Sequence, residues 1–365
     1  MSYRSLNKDK RIFVREDSKE SLNRICHIIF DFDGVLSQTS QSYRQTIRNL
    51  VDYYFLDLLE LEGEKGKLVT FQDVQKFKDT GLYNNDWKLS YTLVQYYLNL
   101  ILRKLEQKQV LQIFKRQFKN IKFSDVQTFI LKLKKVGKFL RTKKINTIGV
   151  DPEIVENKQM LIKQLIPYDL EKPDLLKRLF EEIYLGKKLY TKVYGKPSFF
   201  NFKKSLIDVE EFIPTKETLD LLYRIFGEFG IYSGRPKPQG MYILEKYGYS
   251  GYFDENKSVF LGDMLKSEIE METLGKPNPA LFIELIEKTL DNETGIVYIG
   301  DGIADAILIE KTKLQGIKNL YFFGVSSSSE DLSKLFNEYH KHGADAIVTD
   351  VNDIPYLFTN LHGSV

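Results

Sequence analysis

The chain has 365 residues, 42% of them hydrophobic, which is ordinary for a globular protein and long enough for two domains. Its single cysteine, Cys26, excludes an internal disulfide and any multi-cysteine metal site, and no run of about 18 uninterrupted apolar residues is present to span a membrane. The net charge of +3 hides an asymmetry, because residues 103–144 hold 14 Lys and Arg against two acids, Glu106 and Asp125, on an otherwise acidic body.

The first 20 residues mix charges of both signs without an apolar core and read as a loosely docked lead-in rather than a signal peptide. "ICHIIFD" at 25–31 predicts a buried strand, with Cys26 as a core thiol. From 40 to 205 helical periodicity dominates, at 40–61, 86–107 and 151–166. Asp151 and Pro152 suit a helix start, and Ser124 with Gln127 suits a capping box. A further helix is expected from a Thr215 cap to near Gly230. Beyond it, "EFGIYSG" (228–234), "KSVFLGD" (257–263), "GIVYIGD" (295–301), "NLYFFGV" (319–325) and "ADAIVTD" (344–350) read as buried strands, each followed by a helix-like stretch. That alternation predicts an α/β fold, a Rossmann-like doubly wound parallel sheet covered on both faces. The core would comprise 1–36 and 207–365, with a large, mainly helical insertion at 37–206.

Four short features fall at predicted strand ends, where open parallel sheets place their ligands. They are "DFDGV" (31–35), "YSGRP" (232–236), "GKPNP" (275–279) and "GDGIAD" (300–305). Singly, each is an ordinary cap or turn. Together they describe one site. Two carboxylates at the end of a buried strand need a partner cation, and Asp31 beside Asp301 suits a hard cation such as Mg²⁺. Lys276 and the Ser233 hydroxyl would face an anion, for which a phosphoryl group is the natural candidate. "FLGDMLKSE" (260–268) competes, since Asp263 also ends a strand and Lys266 follows it. Order and spacing favour the later pair, because Asp301 has Asp305 four residues on whereas Asp263 has Ser267.

With these four motifs in this order, the chain resembles the haloacid dehalogenase superfamily, in its phosphatase branch with a helical cap inserted after the first motif. The resemblance implies that Asp31 is the nucleophile, becoming an aspartyl phosphate, and that Asp33 is the general acid and base. It implies that Ser233 and Lys276 bind the phosphoryl group, with Gly34, Gly234 and Arg235 around it. Asp31, Asp301, Asp305 and the Asp33 carbonyl would hold Mg²⁺. An aspartate at position 33 favours phosphoryl transfer over carbon–halogen cleavage.

The insertion occupies the place of a cap that closes over the site and chooses the substrate. Within it Asn84, Asn85 and Trp87 could contact the substrate's non-phosphate part, or Asn85 could cap the following helix and Trp87 anchor it in the core. The basic block enlarges this cap. It could steer a polyanion or nucleic acid, with Phe114, Phe118, Phe123 and Phe129 interleaved, or be a solvated face over the cap's own core. His27, His340, His342 and His362 form no metal-ligand spacing.

The expectation is a cytoplasmic, Mg²⁺-dependent phosphomonoester hydrolase acting on a small phosphorylated metabolite, with no membrane partner. A phosphomutase would use the same residues, and an anion- or nucleic-acid-binding protein could share the fold. Substrate identity and oligomeric state are left open.

Overall fold

The structure, a computed structural model, describes residues 2–7, 12–79, 85–103, 126–142, 175–265, 270, 273–289, 294–326 and 332–361. It divides into two compact units, one of residues 1–40 and 210–365 and the other of 41–209.

The first unit is built on an eight-stranded sheet. Its strands are β1 (Tyr3–Asn7), β2 (Ile12–Arg15), β3 (Ile25–Phe30), β6 (Phe229–Ser233), β7 (Phe253–Phe260), β8 (Gly295–Gly300), β9 (Leu320–Val325) and β10 (Ala346–Val348). Two shorter strands, β4 (Ser37–Gln38) and β5 (Glu211–Phe212), pair antiparallel beside it. The order across the large sheet is β1-β2-β10-β9-β8-β3-β6-β7, and the six strands from β10 to β7 are parallel. Strands β6, β8 and β9 are buried along their whole length, as a sheet covered on both faces requires. After β3 the chain builds outward through β6 and β7, then returns to the other side of β3 with β8. The carboxyl ends of β3 and β8 therefore flank a topological switch point, where sheets of this kind leave a crevice.

Two expectations are corrected here. The N-terminal lead-in is part of the sheet, because β2 pairs antiparallel with β10 and β1 with β2. Buried Ile12 and Val14 alternate with half-buried Phe13 and Arg15, the Arg15 guanidinium lies 2.8 Å from buried Asp345, and the Tyr3 hydroxyl donates to the Ala344 carbonyl at 2.5 Å. Cys26 is exposed rather than a core thiol. The β3–β8 register shifts between Ile25 and His27, which takes Cys26 out of the ladder while Ile28, Ile29 and Phe30 stay buried.

The second unit is helical in the described residues, with helices Ser40–Asp52, Phe71–Asp79, Asp86–Arg103, Val126–Thr142 and Leu175–Tyr194. The helix expected over 40–61 turns π-helical at Tyr53–Leu58, and the last helix breaks at Gly186, whose φ of 66° suits glycine. Glu182 fixes this end of the unit. Fully buried, it accepts from Arg178 Nε (2.7 Å), Ser198 Oγ (2.5 Å), Phe199 N (2.9 Å) and Phe200 N (2.7 Å), so its charge is paired and its lone pairs are used. Of the basic block, only helix Val126–Thr142 and the preceding Arg103 lie in the described residues. That helix buries Leu133, Val136 and Leu140 and turns Lys134 and Arg141 to Glu60, at 3.4 and 2.9 Å. The predicted caps at Ser124 and Asp151, with Phe114, Phe118 and Phe123, fall outside the described residues. No helix among the described residues is long and apolar enough to cross a membrane.

Candidate active site

The site begins where β3 runs out. In register, Ile29 lies opposite Tyr298 and Phe30 opposite Ile299, so Asp31 and the Gly300–Asp301 turn leave the sheet side by side. The Asp31 N–H still donates to the Ile299 carbonyl at 2.8 Å, and its Oδ1 accepts from Phe32 N at 2.7 Å. Asp31, Asp301 and Asp305 each bring a carboxylate oxygen within 4.8 Å of the others. Gly34 makes that closeness possible. Its φ is +79°, and a Cβ there would stand 1.8 Å from Asp301 Oδ2, so any side chain would displace the carboxylate.

Lys276, on the loop before helix Ala280–Thr289, reaches into this cluster. Its ammonium lies 2.9 Å from Asp31 Oδ1 and 2.9 Å from Asp305 Oδ1, and donates to the Tyr298 hydroxyl at 2.6 Å. Asp305 belongs to the first turn of helix Ile303–Leu314, where its Oδ2 accepts from Gly302 N at 3.0 Å. Three carboxylates against one ammonium leave the cluster negative, a donor set of hard oxygens that fits Mg²⁺ better than any softer metal.

Burial pushes the Asp31 carboxyl up to about 8, against the opposing pull of the Lys276 ammonium, and the Asp305 and Asp301 charges add to the rise. Burial works to lower Lys276, but the Asp305 and Asp31 carboxylates outweigh it and hold the ammonium above the ordinary lysine range.

A second charged network holds Asp33. Arg235 donates from Nε to Asp33 Oδ1 at 2.8 Å, and its terminal nitrogen lies 2.6 Å from the same oxygen and 2.9 Å from Glu210 Oε2. Ser37 Oγ donates to Glu210 Oε2 at 2.9 Å, and the guanidinium stands over the Phe32 ring at 4.8 Å. The Arg235 and Glu210 side chains are 0% exposed, whereas Asp33 is 33% exposed.

No protein-family model matches the chain. Over 67 residues, 18% of this chain, it is 36% identical to an imidazoleglycerol-phosphate dehydratase of Phytophthora nicotianae, and the match spans 12% of that protein's length. Among solved structures, a Northeast Structural Genomics Consortium target overlays with a TM-score of 0.60 at 19% identity, covering 92% of this chain and 99% of the other. Phosphatase Tt82 from Thermococcus thioreducens overlays with a TM-score of 0.50 at 20% identity, over 92% and 99% of the two chains. Strand order and these overlays agree. The chain shares the α/β fold of these two structures.

On this fold the sequence-predicted residues take the following places. Asp31, Asp301, Asp305 and Lys276 are brought together. Ser233 ends β6, the strand next to β3, with its buried hydroxyl 3.3 Å from the Arg235 N–H it accepts from. Gly234 follows with open space where a Cβ would be. Arg235 is wholly engaged inside the protein by Asp33 and Glu210. The Asp33 carboxylate faces Arg235, outside the three-aspartate cluster. Asp263 follows β7, the edge strand, with β6 between it and β3, and its Oδ2 accepts at 2.5 Å from Lys237 N, the first residue of helix Lys237–Tyr247. It caps a neighbouring helix rather than its own. Lys266 and Asn84 lie outside the described residues.

Asn85 and Trp87 belong to the helical unit. Asn85 Oδ1 accepts from Trp87 N (3.0 Å) and Lys88 N (3.1 Å), capping helix Asp86–Arg103. Trp87 meets Phe180 edge-on, and the Lys177 ammonium stands 4.3 Å over its ring. Asn85→Ala is expected to cost about 1 kcal/mol of stability, read as a shifted urea midpoint, while Asn85→Ser stays near wild type. Equal midpoints for all three proteins would remove the cap.

Two residues of the site were not singled out by the sequence. Tyr298 looks like any aromatic in a buried strand, and only the β3–β8 register shows that its hydroxyl meets Lys276. Glu210 sits in "VEEF", a polar stretch with no motif. Its one signal is position, two residues before Phe212 of the ribbon that pairs with Ser37.

Proposed function

We propose that the chain is a Mg²⁺-dependent phosphomonoester hydrolase acting on a small phosphorylated metabolite. The observation that carries this reading is Lys276 set between Asp31 and Asp305, with Asp301 alongside, at the switch point of the sheet. An Asp31 oxygen attacks phosphorus and the bond from phosphorus to the leaving oxygen breaks, giving an aspartyl phosphate. Asp33 gives its proton to the leaving oxygen, then takes one from the water that attacks the same phosphorus, and phosphate departs with Asp31 restored. Arg235 and Glu210 fix where Asp33 stands, Lys276 orients Asp31, and the Ser233 hydroxyl and Gly234 N–H are offered to the phosphoryl oxygens. The cation, when bound by Asp31, Asp301 and Asp305, offsets the charge that the phosphoryl group brings to these carboxylates.

The test is a screen for phosphate release over phosphorylated metabolites with Mg²⁺ or EDTA. Release that EDTA removes is the expected result. Activity undiminished by EDTA would overturn the metal assignment, and turnover that waits for a bisphosphate primer would identify a mutase.

Burial of Asp31 also sets a pH dependence. Its folded value, about 8, lies above the ordinary 3.8, so the stability it contributes is complete below the ordinary carboxylate range and is lost as pH rises through about 8. A cation on the ionised carboxylate reverses that loss, because proton and metal compete for one oxygen. The metal-free melting temperature is therefore expected to fall between pH 6 and 9, and the rise on adding Mg²⁺ to be larger at pH 9 than at pH 6. A Mg²⁺-induced rise of equal size at both would speak against Asp31 as a ligand.

A further inference from the structure

Lys276 has three N–H donors and no acceptor. Each has an acceptor in the structure: Asp31 Oδ1 at 2.9 Å, Asp305 Oδ1 at 2.9 Å and the Tyr298 hydroxyl at 2.6 Å. Because an ammonium can only donate, the Tyr298 oxygen accepts here. Its own proton then goes to the Tyr232 carbonyl or to Asp305 Oδ1, each 3.1 Å away. The ring cannot move to suit the lysine. It is fully buried in β8, meets Phe282 edge-on at 5.3 Å and stacks with Phe322 at 6.5 Å.

We propose that Tyr298 is a positioning residue that fixes the Lys276 ammonium between Asp31 and Asp305 by accepting its third N–H. The proposal rests on the phosphatase reading only for its effect on rate. Lys276 arrives on a loop, and two carboxylates alone define a line along which an ammonium can slide or rotate. A third acceptor held rigidly by the sheet turns that line into a point. Without it, one N–H is left unpaired in a buried site, and the ammonium shifts to find a partner.

Two single-atom deletions separate this from a packing role. Tyr298→Phe removes the hydroxyl and keeps the ring. Tyr232→Phe removes another buried hydroxyl from the same aromatic cluster, one with no hydrogen-bond partner among the described residues. Reductive methylation of Lys276, followed by peptide mass spectrometry on substrate-free protein, reads how firmly the ammonium is held. Tyr298→Phe is expected to raise the labelling rate several-fold, with Tyr232→Phe unchanged. With p-nitrophenyl phosphate as substrate, Tyr298→Phe is expected to lose about tenfold in kcat with KM within about twofold. Labelling of Tyr298→Phe at the wild-type rate, or an equal rise in both variants, would overturn the proposal. If wild type releases no phosphate from any substrate, the phosphatase reading fails, and the labelling rates still decide the role of Tyr298.

Discussion

Asp31→Asn is expected to lower phosphate release by about 10³-fold or more while the protein stays folded. The amide keeps the shape of the carboxylate but offers no charged oxygen to phosphorus. The fold should tolerate the change, because burial already works against the Asp31 charge and pushes its carboxyl up to about 8. A neutral side chain relieves that cost, and Lys276 keeps Asp305 and Tyr298. Phosphate-release kinetics beside a melting curve make the check. Release within about tenfold of wild type would remove Asp31 as nucleophile.

Glu210→Ala carries the second large effect, on stability. Arg235 and Glu210 form an ion pair with both side chains 0% exposed, while Asp33, which also binds that guanidinium, is 33% exposed. Removing Glu210 takes one carboxylate from a guanidinium that is out of solvent but leaves it Asp33, so the loss lies at the lower end of the about 3–5 kcal/mol that breaking a buried pair costs. The Ser37 hydroxyl loses its acceptor as well. Urea denaturation should show a loss of this size for Glu210→Ala and a smaller one for Glu210→Gln, which keeps an acceptor but not the charge. A loss below about 1 kcal/mol for Glu210→Ala would mean that the network is solvated.

The parallel sheet was legible because strands such as β6, β8 and β9 are short buried runs, and because the motifs of Asp31, Ser233 and Asp301 sit where such runs stop. The rest depended on contacts distant in sequence. Strands β1 and β2 are short and half polar, and they become strands through β10, more than 330 residues away in the chain. The Cys26 register shift depends on how β3 meets β8. Asp263 and Asp301 end strands that look alike in sequence; the sheet order separates them, since β8 adjoins β3 and β7 does not. Tyr298 and Glu210 act through partners on other elements, so no local pattern marks them. The sequence places Arg235 around the phosphoryl group, and its burial between Asp33 and Glu210 shows it to be engaged within the protein.

The most direct test of the account is to quench the protein in acid during turnover of a phosphomonoester with Mg²⁺ and map the phosphoryl group by peptide mass spectrometry. The account predicts a phosphoryl group on Asp31 that is absent from Asp31→Asn. A phosphoryl group trapped on any other residue would contradict it.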